Sequence, residues 1–328
     1  MESTNRPEAA GPLLQVRGLA KRFAGGRGVE NVDLSAPAGC ITGFIGVNGA
    51  GKSTTLRCIL GLLRPDAGDV RLFGRAADAW ARRQIGFLPE ERGLSPRDRA
   101  RDVVAFHGRL KGMDRRAAFR AADALLERIG LVGRERSRIE SLSKGNAQRV
   151  QVLCALVHSP RLLLLDEPLS GLDPVAQAEM LSLFAEFRSQ GGAILFSTHS
   201  MAAAQAQCDR IVMLAGGRTV FEGTIDEAAR RAPHGAVVVT SDAEALLAAA
   251  AATGGTAHQL ASAIGDASRW RVVLPPEVTH PALMRALAER GASILTFHPI
   301  KADLEGAFWD MASAGEPTVR ERDVQRAA

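Results

Sequence analysis

The sequence predicts an α/β protein with an open, mostly parallel sheet, followed by a smaller α+β domain. Three observations carry this. The run Gly46-Val47-Asn48-Gly49-Ala50-Gly51-Lys52-Ser53-Thr54 stands between an apolar stretch at 41–45 and a helix-periodic stretch at 52–63. Further continuous apolar runs at 161–166 and 193–197 have the character of buried parallel strands, with helix-period segments between them. Composition then shifts near Arg230-Arg231-Ala232-Pro233-His234-Gly235, and the chain continues in the order β-α-β-β-α-β, a ferredoxin-like arrangement.

Residues 1–12 read as a disordered lead. The stretch 13–19 alternates apolar and polar residues like a half-buried strand, and 29–34 is a second short strand. The run 41–45 is a buried strand feeding the glycine-rich loop. The helix at 52–63 carries apolar positions at Leu56, Ile59, Leu60 and Leu63. Pro65-Asp66-Ala67-Gly68 turns the chain into a strand at 69–73. An Arg-rich helical segment fills 96–139. Strand, Gly216-Gly217 turn and strand follow at 210–214 and 219–221, at the sheet edge. The first domain is bounded at 13–230. The second domain, 234–314, has strands at 236–240, 257–261, 270–274 and 292–298. Its helices lie at 242–252 and 281–290, with a closing helix at 302–312 and a charged, disordered tail at 315–328.

The chain has 328 residues, of which 46% are hydrophobic and 23% charged, as in ordinary globular proteins. No apolar stretch approaches the roughly 18–20 residues that cross a bilayer. The first residues also lack a signal-peptide pattern. The expectation is a cytosolic chain for which another polypeptide supplies any membrane crossing. Cys40, Cys58, Cys154 and Cys208 have neither metal nor redox spacing and read as buried reduced thiols. The net charge of +5 is uneven: residues 75–138 carry +7 and the remainder −2. Such a segment suits anionic lipid, an acidic partner or nucleic acid, or is simply a solvated helical face.

The loop matches G-x-x-x-x-G-K-[ST], so its backbone N–H groups can cradle phosphates at a helix N-terminus. Lys52 would neutralise the β/γ-phosphates and Ser53 would coordinate Mg²⁺. Leu162-Leu163-Leu164-Leu165-Asp166-Glu167-Pro168 is an apolar strand ending in two carboxylates at the edge where α/β sheets bind ligands. Asp166 would hold the Mg²⁺ complex, and Glu167 would polarise the attacking water. Ser143, in Ser141-Leu142-Ser143-Lys144-Gly145-Asn146, stands where a helix N-cap belongs.

These motifs, with Ser170-Gly171-Leu172-Asp173-Pro174 and Ser197-Thr198-His199, stand in an order that resembles the nucleotide-binding subunit of ATP-binding cassette (ABC) transporters, over about 13–224. The fold implied is an ABC-type P-loop NTPase domain with a helical subdomain. The resemblance implies ATP hydrolysis with Mg²⁺ and a homodimer in which Ser143, Lys144, Gly145 and Asn146 act on the opposite subunit's γ-phosphate. It also implies a dimer-bridging Asp173, and a His199 that contacts γ-phosphate or the Glu167-bound water. Phe23 stands where the family places an adenine-stacking ring, usually Tyr, or is plain core. Ile85-Gly86-Phe87-Leu88-Pro89-Glu90 resembles the loop that senses Mg²⁺ and permease, with Glu90 as metal ligand in place of the usual Gln. Lys144 and Asn146 replace the commoner Gly and Gln. The runs Pro89-Glu90-Glu91-Arg92-Gly93-Leu94 and Leu142-Ser143-Lys144-Gly145-Asn146, and the second domain, resemble ATPase subunits of ABC-2-type exporters, including sodium and antibiotic efflux systems. This implies a separate integral-membrane permease docked on the Arg-rich segment, a peripheral position on the cytoplasmic face of a bacterial membrane, and no nucleic-acid partner. The rivals are a non-transport ABC ATPase acting on ribosome or nucleic acid, a coiled-coil DNA-repair ATPase, and a purely regulatory binding protein.

Overall fold

The computed structural model describes residues 11–91, 93–231, 234–264, 267–275, 277–300 and 304–314; the expected lead (up to residue 10) and tail lie outside them. Two compact units divide the chain, Met1–Ile225 and Asp226–Ala328.

The first unit begins with β1 (Leu14–Arg22), β2 (Gly28–Ala36) and β3 (Ile41–Ile45), and then α1 (Lys52–Ile59). Next come β4 (Ala67–Leu72), β5 (Arg75–Ala76), α2 (Ala79–Arg83) and β6 (Ile85–Leu88). Helices α3 (Ala100–Leu110) and α4 (Arg115–Arg128) fill much of the Arg-rich segment, and α5 (Lys144–Leu156) follows. The unit continues through β7 (Leu162–Asp166), α6 (Pro174–Ser189), β8 (Ala193–Thr198), α7 (Met201–Gln207), β9 (Arg210–Ala215) and β10 (Arg218–Thr224). Helix α8 (Ile225–Arg230) begins at the boundary.

One six-stranded sheet runs β10-β9-β3-β8-β7-β6, parallel except for the β9–β10 hairpin. The expected parallel sheet is therefore present, but it does not stand alone. Strands β1, β2, β4 and β5 form a separate antiparallel sheet in the order β2-β1-β4-β5. The alternating pattern of β1 is the reason: one face packs Leu14, Val16 and Leu19 into a core shared with α1 and Phe44 of β3, while the other stays wet. Thr219 ties the two sheets together, accepting from Asp33 N at 3.1 Å and donating to Asp33 O at 2.7 Å. A second core lies between the parallel sheet and the helices, with Val104, Leu126, Leu153, Leu165, Met180 and Phe196.

Two boundaries differ from the sequence pattern. Helix α1 stops at Ile59, short of the apolar Leu63, because Gly61 turns left-handed (φ 74°) and the Gly61 and Leu62 N–H groups close back on Cys58 O and Arg57 O. Strand β6 forms within the stretch read as a loop, pairing with β7 at the sheet edge. Among the four free cysteines, Cys58 and Cys154 are buried but Cys40 and Cys208 only half-buried; desolvation pushes the Cys208 thiol up to about 12.

The second unit contains β11 (His234–Thr240), α9 (Ala243–Ala252), β12 (Thr256–Ile264), β13 (Ala267–Leu274), α10 (His280–Glu289), β14 (Ile294–Ile300) and α11 (Leu304–Ala314). Its sheet is antiparallel in the order β12-β13-β11-β14. Alternate residues Ala236, Val238, Trp270, Val272 and Leu274 pack with Leu246 and Ala249 of α9 and Leu283 and Leu287 of α10.

Candidate active site

The glycine-rich loop leaves β3 at its carboxyl end and enters α1 through Gly51, whose φ of 106° suits a residue without a side chain. A Cβ on Gly51 would lie 2.2 Å from Val29 Cγ1, and one on Gly46 would lie 2.6 Å from Leu214 O, so the loop is folded tightly onto its supports. Lys52 turns back into it, donating from Nζ to Gly46 O at 2.6 Å and Val47 O at 3.4 Å. Burial lowers the Lys52 pKa below the usual lysine value, opposed by the carboxylates of Glu167, Asp166 and Glu90.

Those carboxylates and the loop share one cavity of about 310 Å³. Asn48, Gly49, Gly51, Lys52, Ser53 and Thr54 line it from the loop, and Glu90, Asp166 and Glu167 from the ends of β6 and β7. The parallel register produces this convergence, because the ends of β3, β7 and β6 lie along one edge of the sheet. Asp166 Oδ2 accepts from Ser53 Oγ at 3.0 Å, and Asp166 Oδ1 accepts from the buried Ser197 hydroxyl. Glu167 is one of the few non-glycine residues with a left-handed backbone (φ 48°). That turn swings its side chain away from Asp166 and toward the end of β8. There Oε1 accepts from His199 N at 2.9 Å and contacts His199 Nδ1 at 2.7 Å, while Thr198 Oγ1 lies 3.4 Å from Oε2. The Glu167 side chain is 11% exposed and that of His199 57%.

This donor set, a hydroxyl and carboxylates beside a phosphate-type loop, is hard oxygen throughout and fits Mg²⁺ arriving with phosphates. No cluster of three or more His, Cys, Asp or Glu able to hold a metal by itself occurs among the described residues.

The remaining predicted residues lie elsewhere. Ser143 caps α5, accepting from Asn146 N at 3.2 Å, and Asp173 caps α6, accepting from Ala176 N at 2.9 Å. Lys144 Nζ approaches Gly171, so the Ser143 to Asn146 segment and the Ser170 to Asp173 loop are neighbours. None of Ser143, Lys144, Gly145, Asn146 or Asp173 is among the residues lining the cavity. Phe23 sits at the β1–β2 hairpin, 42% exposed, so it is not a core ring. Val47 is exposed and Ala50 buried within the loop. Sequence reasoning gave no role to Ser197 and Thr198. Their signal was present: a fully buried, otherwise apolar strand that ends in two hydroxyls.

Comparisons with known proteins converge on one family. A family profile described as ABC transporter matches residues 29–170. The chain is 38% identical over 230 residues to the uncharacterized ABC transporter ATP-binding protein YhaQ of Bacillus subtilis (strain 168), covering 70% of this chain and 77% of that one. It is 36% identical over 213 residues to the Nod factor export ATP-binding protein I of Burkholderia lata, covering 64% and 70%. A solved structure of an ATP binding subunit of an ABC transporter superposes with a TM-score of 0.62 at 34% identity, over 66% of this chain and 92% of that one.

Proposed function

The chain belongs to the ABC transporter ATP-binding proteins and hydrolyses ATP as the energy-supplying subunit of a transporter; from that premise we propose that two copies form two composite sites and drive an exporter. Subunits of this kind work with a separate membrane permease. No helix among the described residues is long and apolar enough to cross a membrane. We place the chain on the cytoplasmic face of the membrane, with the permease seated on the Arg-rich helical subdomain (96–139). The export reading draws on the resemblance to ABC-2-type systems and on relatives named for Nod factor export and daunorubicin resistance. The non-transport alternative gains no support from the comparisons.

In the proposed cycle the loop N–H groups and Lys52 bind the polyphosphate, and Ser53, Asp166 and Glu90 would hold Mg²⁺. The metal's contribution is charge neutralisation on the phosphate oxygens. Glu167 orients and deprotonates the attacking water, and His199 holds Glu167 and faces the γ-phosphate. Phe23 stacks on the adenine. The domain reading is 13–230 for the ATP-binding part and 234–314 for an accessory part, whose strand order supports a ferredoxin-like module.

One observation carries the dimer: the cavity holds cradle and carboxylates, while Ser143 to Asn146 stand outside its lining. A second copy would supply those groups head to tail. The test mixes two inactive variants, Lys52→Ala and Ser143→Arg. A mixed dimer contains one site with both lesions and one with neither, so mixing should restore hydrolysis that neither variant shows alone. No restoration at any ratio would refute the composite site.

A further inference from the structure

A carboxylate at a strand end is a rotor, because its terminal torsion is broad and roughly two-fold. The two oxygens of Asp166 are equivalent, and nothing intrinsic to the side chain decides the plane in which they lie. Two hydroxyls decide it together. Ser53 Oγ donates to Oδ2 at 3.0 Å from the cavity side, and Ser197 Oγ donates to Oδ1 from within the sheet. Ser197 is fully buried on β8, level with Asp166 on β7 and with Phe44 on β3. It follows Ile194, Leu195 and Phe196 in a strand where a hydroxyl is unfavourable unless bonded. Asp166 is the partner that accounts for it. The Ser197 main chain acts as well: its carbonyl accepts from Glu167 N at 3.1 Å, at the residue held with φ 48°. One residue thus grips both acidic positions, Asp166 by side chain and Glu167 by backbone.

We propose that Ser197 is a positioning residue for cation binding: its hydroxyl locks the Asp166 carboxylate so that Oδ2 stays beside Ser53 and is offered to the Mg²⁺ that accompanies ATP. This rests on the reading that Ser53 and Asp166 hold that ion. With Oδ1 satisfied from behind, Asp166 remains acceptor-only toward the cavity, and the Ser53 lone pairs stay free for the metal. Without the Ser197 donor the carboxylate can turn, and a buried anionic oxygen loses a charge-assisted bond.

The experiment measures thermal stabilisation by ATP as Mg²⁺ is titrated, with an EDTA baseline, for the wild type, Ser197→Ala and Ser197→Cys. Cysteine keeps the shape of serine but is a weak donor, so it serves if the alanine variant folds poorly. The Mg²⁺ concentration giving half the effect should rise roughly tenfold in both variants, the scale of one charge-assisted hydrogen bond, while stabilisation by ATP in EDTA stays as in the wild type. On an Asp166→Asn background, adding Ser197→Cys should change nothing further. An unmoved Mg²⁺ midpoint, whatever happens to the ligand-free melting temperature, would overturn the proposal and leave Ser197 a bonded core hydroxyl. Loss of metal-free ATP binding in Ser197→Cys would overturn it too, by making the phosphate loop the dependent element. A wild type stabilised by ATP with no Mg²⁺ dependence would instead sink the metal reading beneath it.

Discussion

His199 holds one oxygen of Glu167 twice, through its backbone N–H at 2.9 Å and through Nδ1 at 2.7 Å. The contact through Nδ1 leaves Nε2 as the ring nitrogen that can face a substrate. Glu167 reaches this position through a left-handed backbone, a conformation that side-chain-bearing residues adopt only where their surroundings enforce it. Here the Ser197 carbonyl and the end of β8 do so.

Glu167→Gln keeps the shape and the contact to the His199 N–H but cannot take a proton. Hydrolysis should fall by at least about 10²-fold, the scale of a lost general base, while ATP binding persists. With ATP present, the variant should run as a dimer in size-exclusion chromatography, because closed sites no longer reopen through hydrolysis. Normal turnover in this variant would remove Glu167 from the catalytic role.

Phe23 offers a cleaner separation of binding from folding. Its ring is exposed at the hairpin, so Phe23→Ala should leave the ligand-free melting temperature within about 1 °C of wild type, as surface changes do. Loss of a stacking partner should weaken ATP binding by roughly three- to tenfold, corresponding to about 0.5–1.5 kcal/mol. Phe23→Tyr should restore it. Equal nucleotide affinity in wild type and Phe23→Ala, measured by calorimetry, would show that the ring does not touch the base.

Much of this site could be read along the chain because its parts are local motifs. Loop, acidic strand end and cap each declare themselves within a few residues. What could not be read depends on pairing across the chain. Ser197 faces Asp166 only because β7 and β8 are level at that pair. The strands of the antiparallel sheet can be read singly, but their assembly cannot, since β1 pairs with β4 across β2, β3 and α1. Strand β6 is short and contains Gly86, a poor strand former. The glycine is needed there, as a Cβ would stand 2.1 Å from Ala155 O where α5 crosses.

Two loop glycines separate strain from collision. Gly49 has φ 84° and open space where a Cβ would stand, whereas Gly51 has φ 106° and would bring a Cβ within 2.2 Å of Val29 Cγ1. Gly49→Ala should cost only the left-handed penalty, about 1–2 kcal/mol. Gly51→Ala should cost more, because Val29 is buried and must move as well. Urea denaturation of the two variants ranks them, and equal costs would contradict the tight seating of the loop on β2.

Part of the acid limb of stability should trace to His158, behind β6. Its Nε2 lies 3.2 Å from Ile85 O, which also accepts from Lys111 Nζ at 2.8 Å. Desolvation first, then the Lys111 charge, pushes the His158 pKa from 6.5 down to about 4. His107, facing the same lysine, is lowered in the same direction by burial. The fold therefore holds His158 neutral while the unfolded chain takes up a proton below pH 6.5. Its contribution is complete above that pH and is lost progressively as pH falls toward 4. His158→Gln keeps an N–H for Ile85 O but does not titrate, so its unfolding midpoint in urea should decline less steeply between pH 6.5 and 4. Some decline should remain, because His107 still titrates. Parallel slopes for the two proteins would mean that His158 is already hydrated and charged in the fold, and that the β6 edge is looser than its contacts with Lys111 indicate.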